Sequence, residues 1–125
     1  MYGSTGMAVA LDPVLSVEIS GVRTLTTPLE NPQKLSDILA TLQPPLHAAC
    51  HFDDHQFFDE NGNKFGIGSS AASVVAIVQA HARFCANLGL HVADSARAIL
   101  TAIRAHRMLQ NGLGSGIDII ASALG

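Results

Sequence analysis

An α+β fold is predicted by three features of this 125-residue chain. Segments rich in β-branched residues crowd its first third. Long helical patterns fill its second half, and the two kinds of segment do not alternate strictly. No internal repeat or low-complexity tract interrupts the chain, so a single domain over residues 1–125 is expected.

The elements follow in order. Met7-Ala8-Val9-Ala10-Leu11 is a short apolar run closed by Asp12-Pro13. Val14 to Ser20 reads as a strand, and Val22 to Thr27 as its hairpin partner after the Gly21 turn. Asn31-Pro32 opens a helix on which Leu35, Ile38, Leu39 and Leu42 share a face, and Pro44-Pro45 ends it. Leu46 to Asp54 and His55 to Asp59 read as extended segments, and Glu60-Asn61-Gly62-Asn63 as a turn. Ser69 to Leu88 is apolar on nearly every side, which predicts a deeply buried helix ended by Gly89. Asp94 or Ser95 caps the next helix, with Ala96, Ile99, Leu100 and Ile103 on one face and Asn111-Gly112 as its end.

Composition narrows the function. The chain is 48% hydrophobic and 14% charged, against about 25% charged in an average domain. Much of its surface is therefore hidden, either in deep helix packing or under a further part of the protein. The net charge is −3 and no cluster of Lys or Arg occurs, which excludes counterion-driven binding to nucleic acid. An anionic small molecule remains open, because backbone amides bind phosphate without net charge. Cys50 and Cys85 sit in apolar stretches and read as buried free thiols in a reducing compartment. The apolar stretch Ala71 to Ala86 is broken by Gln79, His81 and Arg83, and Met1 to Gly6 has neither a basic start nor an apolar core. A cytoplasmic protein with no membrane partner is expected.

Chemistry is concentrated at Gly66-Ile67-Gly68-Ser69-Ser70-Ala71, a glycine-rich loop joined directly to the long helix. The first turn of a helix leaves its N–H groups unpaired, and the macrodipole adds partial positive charge there. Glycines let the backbone approach an anion, and the two serines add hydroxyls for phosphate oxygens or a metal ion. By composition alone, a tight turn with a serine cap is the commoner reading. The loop lacks the Lys-Ser/Thr ending of the P-loop and the third glycine of the dinucleotide fingerprint.

Gly66-Ile67-Gly68-Ser69-Ser70-Ala71 closely resembles the Gly-Leu-Gly-Ser-Ser-Ala motif of the galactokinase, homoserine kinase, mevalonate kinase and phosphomevalonate kinase (GHMP) superfamily. Gly114-Ser115-Gly116-Ile117-Asp118 resembles the downstream Ser-Gly-x-Asp segment of the same kinases, and Tyr2 to Ala10 resembles their first strand. Lys64 ahead of the loop and Ala105-His106-Arg107-Met108-Leu109-Gln110 ahead of Gly114 look most like the phosphomevalonate kinase branch. The resemblance implies the two-layer sheet-and-helix fold of the superfamily's N-terminal domain, which is shared with the second domain of a small-subunit ribosomal protein. It also implies the ATP-binding part of a kinase that phosphorylates a small-molecule acceptor, with ATP and Mg²⁺ as cofactors.

The same resemblance implies the roles. Gly66, Ile67, Gly68, Ser69, Ser70 and Ala71 would bind the ATP phosphates, with Ser70 the hydroxyl nearest Mg²⁺. Lys64 would lie at the mouth, or be a solvated lysine at a turn. Asp118 would be the catalytic aspartate, or a helix N-cap, and Ser115 and Gly116 would shape the acceptor pocket. Mevalonate kinases carry a metal-binding Glu on the preceding helix, where this chain has His106 and Arg107. The superfamily's first motif and its C-terminal domain have no counterpart in the sequence. A fragment with little turnover of its own is therefore expected, with the C-terminal domain of the same protein as its partner.

Three other readings stand beside this one. His51, Asp53 and His55, with Asp54 between them, would share a strand face as a Zn or Mn site. The chain could be an interaction domain that keeps a degenerate nucleotide fold. Ser69 or Ser70 could be a nucleophile, although neither lies in a Gly-x-Ser-x-Gly elbow.

Overall fold

The computed structural model describes residues 16–20, 37–38, 40–43, 49–53, 55–91 and 94–125. Two strands, β1 (Ser16–Ser20) and β2 (Ala49–Asp53), pair antiparallel with Ser16 opposite Asp53 and Ser20 opposite Ala49. A 3-10 turn follows at His55–Phe57, and then come three helices: α1 (Ser69–Asn87), α2 (Ser95–Leu109) and α3 (Ile117–Leu124).

This corrects the α+β expectation. Among the described residues the structure is helical: α1, α2 and α3 build it, and a two-stranded ribbon is no sheet layer against which helices could form a core. The physical reason is the number of strands, since a lone pair of five-residue strands has too little apolar face to organise a domain. The runs Met7–Leu11 and Val22–Thr27, on which a broader sheet was expected, lie outside the described residues. Within them, β1 pairs with β2. The expected extended segment at His55–Asp59 begins as the 3-10 turn and reaches extended geometry at Phe58, which bridges to Lys64.

The core is aliphatic and runs along α1. Ala71, Val74, Val75, Ile77 and Val78 from α1, Ala102 and Ala105 from α2, and Ile119 from α3 cluster with Ile38 and Leu42. Residues 37–38 and 40–41 are helical, which places Ile38 and Leu42 one turn apart on one face as their spacing predicts. Ala71, Ala102 and Ala105 are each almost fully buried. With no side chain beyond Cβ, they let the three helices approach closely.

Burial of α1 is widest between Ser69 and Val78 and narrows after that. Phe84, Gln79 and Arg83 are exposed, so the expected burial on every side holds only for its first half. Asp94 caps α2, its carboxylate accepting the Arg97 N–H at 2.8 Å. The buried face of α2 carries Ala102, Ala105 and His106, whereas Leu100, expected inside, is exposed. Helical spacing cannot choose between two adjacent stripes, and close packing of small residues chose the alanine one. Asn111, at φ 54°, and Gly112, whose N–H donates to the Arg107 carbonyl at 2.8 Å, terminate the helix as expected.

Shared cavity walls give the helix directions. His81 and Cys85, late in α1, line one cavity with Arg97, Ala98 and Thr101, early in α2. Ser95 and Ala98, early in α2, line another with Ala123 and Leu124 at the end of α3. Thus α2 runs antiparallel to both neighbours, and α1 and α3 begin at the same end of the bundle.

The fully buried Ile119 and its neighbour Ile120, 41% exposed, test this core. Ile119→Ala is expected to lose about 2–5 kcal/mol of stability through the cavity it leaves, and Ile120→Ala less than about 1 kcal/mol. Urea unfolding of the two variants measures the contrast.

Candidate functional site

The shared start of α1 and α3 brings together the two segments that the sequence singled out. Gly68 precedes α1 with φ 90° and ψ 22°, and Gly116 precedes α3 with φ 81° and ψ 4°. Both are in the left-handed region that L side chains rarely adopt. As N-cap residues, neither glycine offers a side chain to cap its helix. The Ala72 N–H reaches the Gly68 carbonyl at 3.0 Å, as the first regular bond of α1. The N–H groups of Ser69, Ser70 and Ala71 precede it and have no intrahelical acceptor.

This helix start is open. A Cβ added at Gly66 or Gly68 would meet nothing within 4 Å, and residues 61–68 are all exposed. Ser70 is half-buried, and Ser69 is 2% exposed. The Ser69 hydroxyl is a buried side-chain oxygen with no hydrogen-bond partner, while the Ser69 carbonyl accepts from Ser73 Oγ at 2.7 Å. An unpaired buried hydroxyl costs about 1–3 kcal/mol, a cost that usually signals an absent partner. No histidine or carboxylate contacts either serine hydroxyl among the described residues, which removes the support for a serine nucleophile.

A rigid turn delivers the chain to this loop. Phe57 is buried, and its carbonyl accepts the Phe65 N–H at 3.0 Å. The Asp59 carboxylate accepts from the Asn61 and Asn63 amides at 2.9 and 2.7 Å and from Asn63 Nδ2 at 3.0 Å. The Asn63 side chain foremost, then the backbone amides around it, holds the Asp59 carboxyl below the usual carboxylate range. Sequence reading missed Asp59, although an aspartate opening an Asn-Gly turn is a recognisable signal. Lys64 is exposed on the returning side of this turn.

At α3, Asp118 is the second helical residue and its side chain is 46% exposed. Oδ1 accepts the Ile119 N–H at 3.0 Å, and Oδ2 lies 3.5 Å from Nδ1 of the buried His106. Ser115 is exposed, its Oγ accepting the Ile117 N–H at 3.4 Å. Gly116 is buried, and a Cβ there would press on Ile103 at 3.1 Å. Arg107 Nε donates to the Gly114 carbonyl at 3.3 Å, tying the end of α2 to the second glycine loop.

Other predicted features lie apart. β2 ends at Asp53, so His55 does not continue its face; the side chains of His51 and Asp53, and all of Asp54, lie outside the described residues. No group of three or more His, Cys, Asp or Glu able to hold a metal occurs among the described residues. Cys85 is a buried free thiol 3.5 Å from His81 Nε2, and the Cys50 side chain lies outside the described residues. A cavity of about 610 Å³ between α1 and α2 contains neither glycine loop. No helix among the described residues is long and apolar enough to cross a membrane.

A family model described as the GHMP kinases N terminal domain matches residues 59–125. No curated protein and no solved structure matches the chain.

Because the folded pKa of Asp59 is lowered, its anchoring of the turn is complete above the ordinary carboxylate pKa. It is lost only as pH falls through the lowered value. The Asn61 and Asn63 amide shifts, followed by NMR, are expected to titrate together below the pKa of a free aspartate.

Proposed function

This chain belongs to the GHMP kinases through their N-terminal domain, and on that premise we propose that the open start of α1 binds the phosphate chain of ATP for transfer to a small acceptor. A domain of this family marks a kinase, and kinases of this family use ATP. One observation carries the reading further. The unpaired first-turn amides of α1, behind the left-handed Gly68, lie at the same end of the bundle as Asp118.

The residues fit a phosphate chain. A Cβ at Gly66 or Gly68 would meet nothing within 4 Å, so the approach is unobstructed there, and the first-turn amides of Ser69, Ser70 and Ala71, with the helix dipole behind them, are the groups that would donate to phosphate oxygens. The unpartnered Ser69 hydroxyl is the group a phosphate oxygen would satisfy. Lys64, exposed on the turn, would meet the outer phosphates. Mg²⁺ takes few protein ligands when it arrives on phosphates, and the half-buried Ser70 hydroxyl is its candidate contact. When bound, the ion supplies neutralisation of the developing negative charge.

Asp118 is the carboxylate that would serve the acceptor. Phosphoryl transfer asks the protein chiefly for positioning and charge balance. The Asp118 carboxylate would orient an acceptor hydroxyl and accept its proton, or, for a phosphate acceptor that is already ionised, position it. Ser115 and Gly116 would form the adjoining wall. For the acceptor itself, we favour phosphomevalonate or mevalonate, on the resemblance of Lys64 to Ala71 and of Ala105 to Asp118 to the phosphomevalonate kinase branch.

In the full-length protein, Asp118→Ala is expected to lower kcat by about 10²–10⁴-fold while calorimetric MgATP affinity is kept. Near-normal turnover would remove Asp118 from the chemistry. A panel of phosphomevalonate, mevalonate, homoserine and galactose, assayed for ATP-dependent phosphorylation, separates the acceptors; turnover with homoserine or galactose alone would sink the mevalonate assignment.

A further inference from the structure

The Asp118 carboxylate has a buried neighbour that cannot itself reach a ligand. His106, in the last turn of α2, is 2% exposed. Its Nδ1 lies 3.5 Å from Asp118 Oδ2, and its Nε2 lies 3.3 Å from Gln110 Nε2. For the ring to donate to Asp118 Oδ2, its proton must sit on Nδ1, and Nε2 is then free to accept from the Gln110 amide.

We propose that His106 is the positioning residue for Asp118, holding one carboxylate oxygen so that the exposed part of the group faces the start of α1. The inference rests on the reading of Asp118 as the carboxylate of the phosphoryl-transfer site. Both carboxylate oxygens are then fixed by protein: Oδ1 by the Ile119 N–H at 3.0 Å, Oδ2 by the imidazole. At 3.5 Å the second contact is longer than a formed hydrogen bond. Contacts of this kind are often long in the ligand-free enzyme and tighten in the complex. Gln110, His106 and Asp118 thus form a chain from the end of α2 into the first turn of α3. With both ring nitrogens engaged, His106 is no metal ligand; it stands in this helix as a support for the carboxylate. A misplacement of about 1 Å at a reacting group can cost about 100-fold in rate.

Turnover of the full-length protein is compared for Asp118→Ala, His106→Leu and His106→Asn, with thermal unfolding run on each. His106→Asn keeps an N–H donor near the Nδ1 position, and His106→Leu keeps none. His106→Leu is expected to lower kcat by at least about tenfold with KM for ATP unchanged, and His106→Asn to recover most of it. Added to Asp118→Ala, His106→Leu should cost nothing more. Equal losses in the Leu and Asn variants, or a loss that adds to that of Asp118→Ala, would overturn the proposal. The imidazole ¹⁵N spectrum of the unmodified protein needs no acceptor and no variant: the Nδ1–H tautomer is expected, and the Nε2–H tautomer would refute it. Normal turnover in Asp118→Ala defeats the reading of Asp118. A dead Asp118→Ala beside a folded, fully active His106→Leu defeats the His106 inference alone.

Discussion

Gly68 sits where a side chain would be strained, and the rest of the site follows from that conformation. At φ 90° the chain turns abruptly from an exposed loop into the most buried helix of the protein. No side chain caps the helix, so its first amides stay unpaired at an open surface. A Ser or Asp at this position would cap the helix and satisfy those amides, leaving a more stable helix and a weaker anion site. The chain keeps the glycine and leaves Ser69 Oγ buried without a partner.

The bundle turns this local feature into a site. α2 runs antiparallel to both α1 and α3, so two helix starts share one end. Gly116 repeats the left-handed entry of Gly68, and here the glycine also lets the backbone pack against Ile103. Ile119, fully buried three residues beyond Gly116, joins α3 to the common core. Asp118 lies between these anchors, half-exposed, with His106 beneath it. A carboxylate at a helix start would by itself weaken an anion site. Asp118 instead has the Ile119 N–H at 3.0 Å on one oxygen and the His106 imidazole at 3.5 Å from the other while it stays accessible.

Much of the site was legible in the residues, and less of the fold. Gly66 to Ala71 joined to a long apolar helix reads as an anion-binding helix start, because glycine and serine act through local backbone geometry. The Asn-Gly turn and the Asp94 cap are short-range in the same way, and both are found. The α+β expectation failed because strand patterning describes which residues suit a pleated surface, not which strands meet. Val14 to Ser20 did form a strand, but within the described residues its partner is Ala49–Asp53. On α2 the expected face holds in part: Ile103 packs against the core and Ile99 is half-buried, while Ala96 and Leu100 are exposed.

The sequence alone determined elements whose cause lies within a few residues: the helices α1 and α2, the turn at Glu60-Asn61-Gly62-Asn63 and the glycine-rich entry to α1. Tertiary structure decided what depends on contacts between distant segments. It set the helical character of the described core, the shared end at which α1 and α3 begin, and the burial of His106 against Asp118. The physical reason is range: dihedral preference and capping act over one turn of chain, whereas the facing of one helix by another is settled only when alanines and isoleucines from all of them close on the same space.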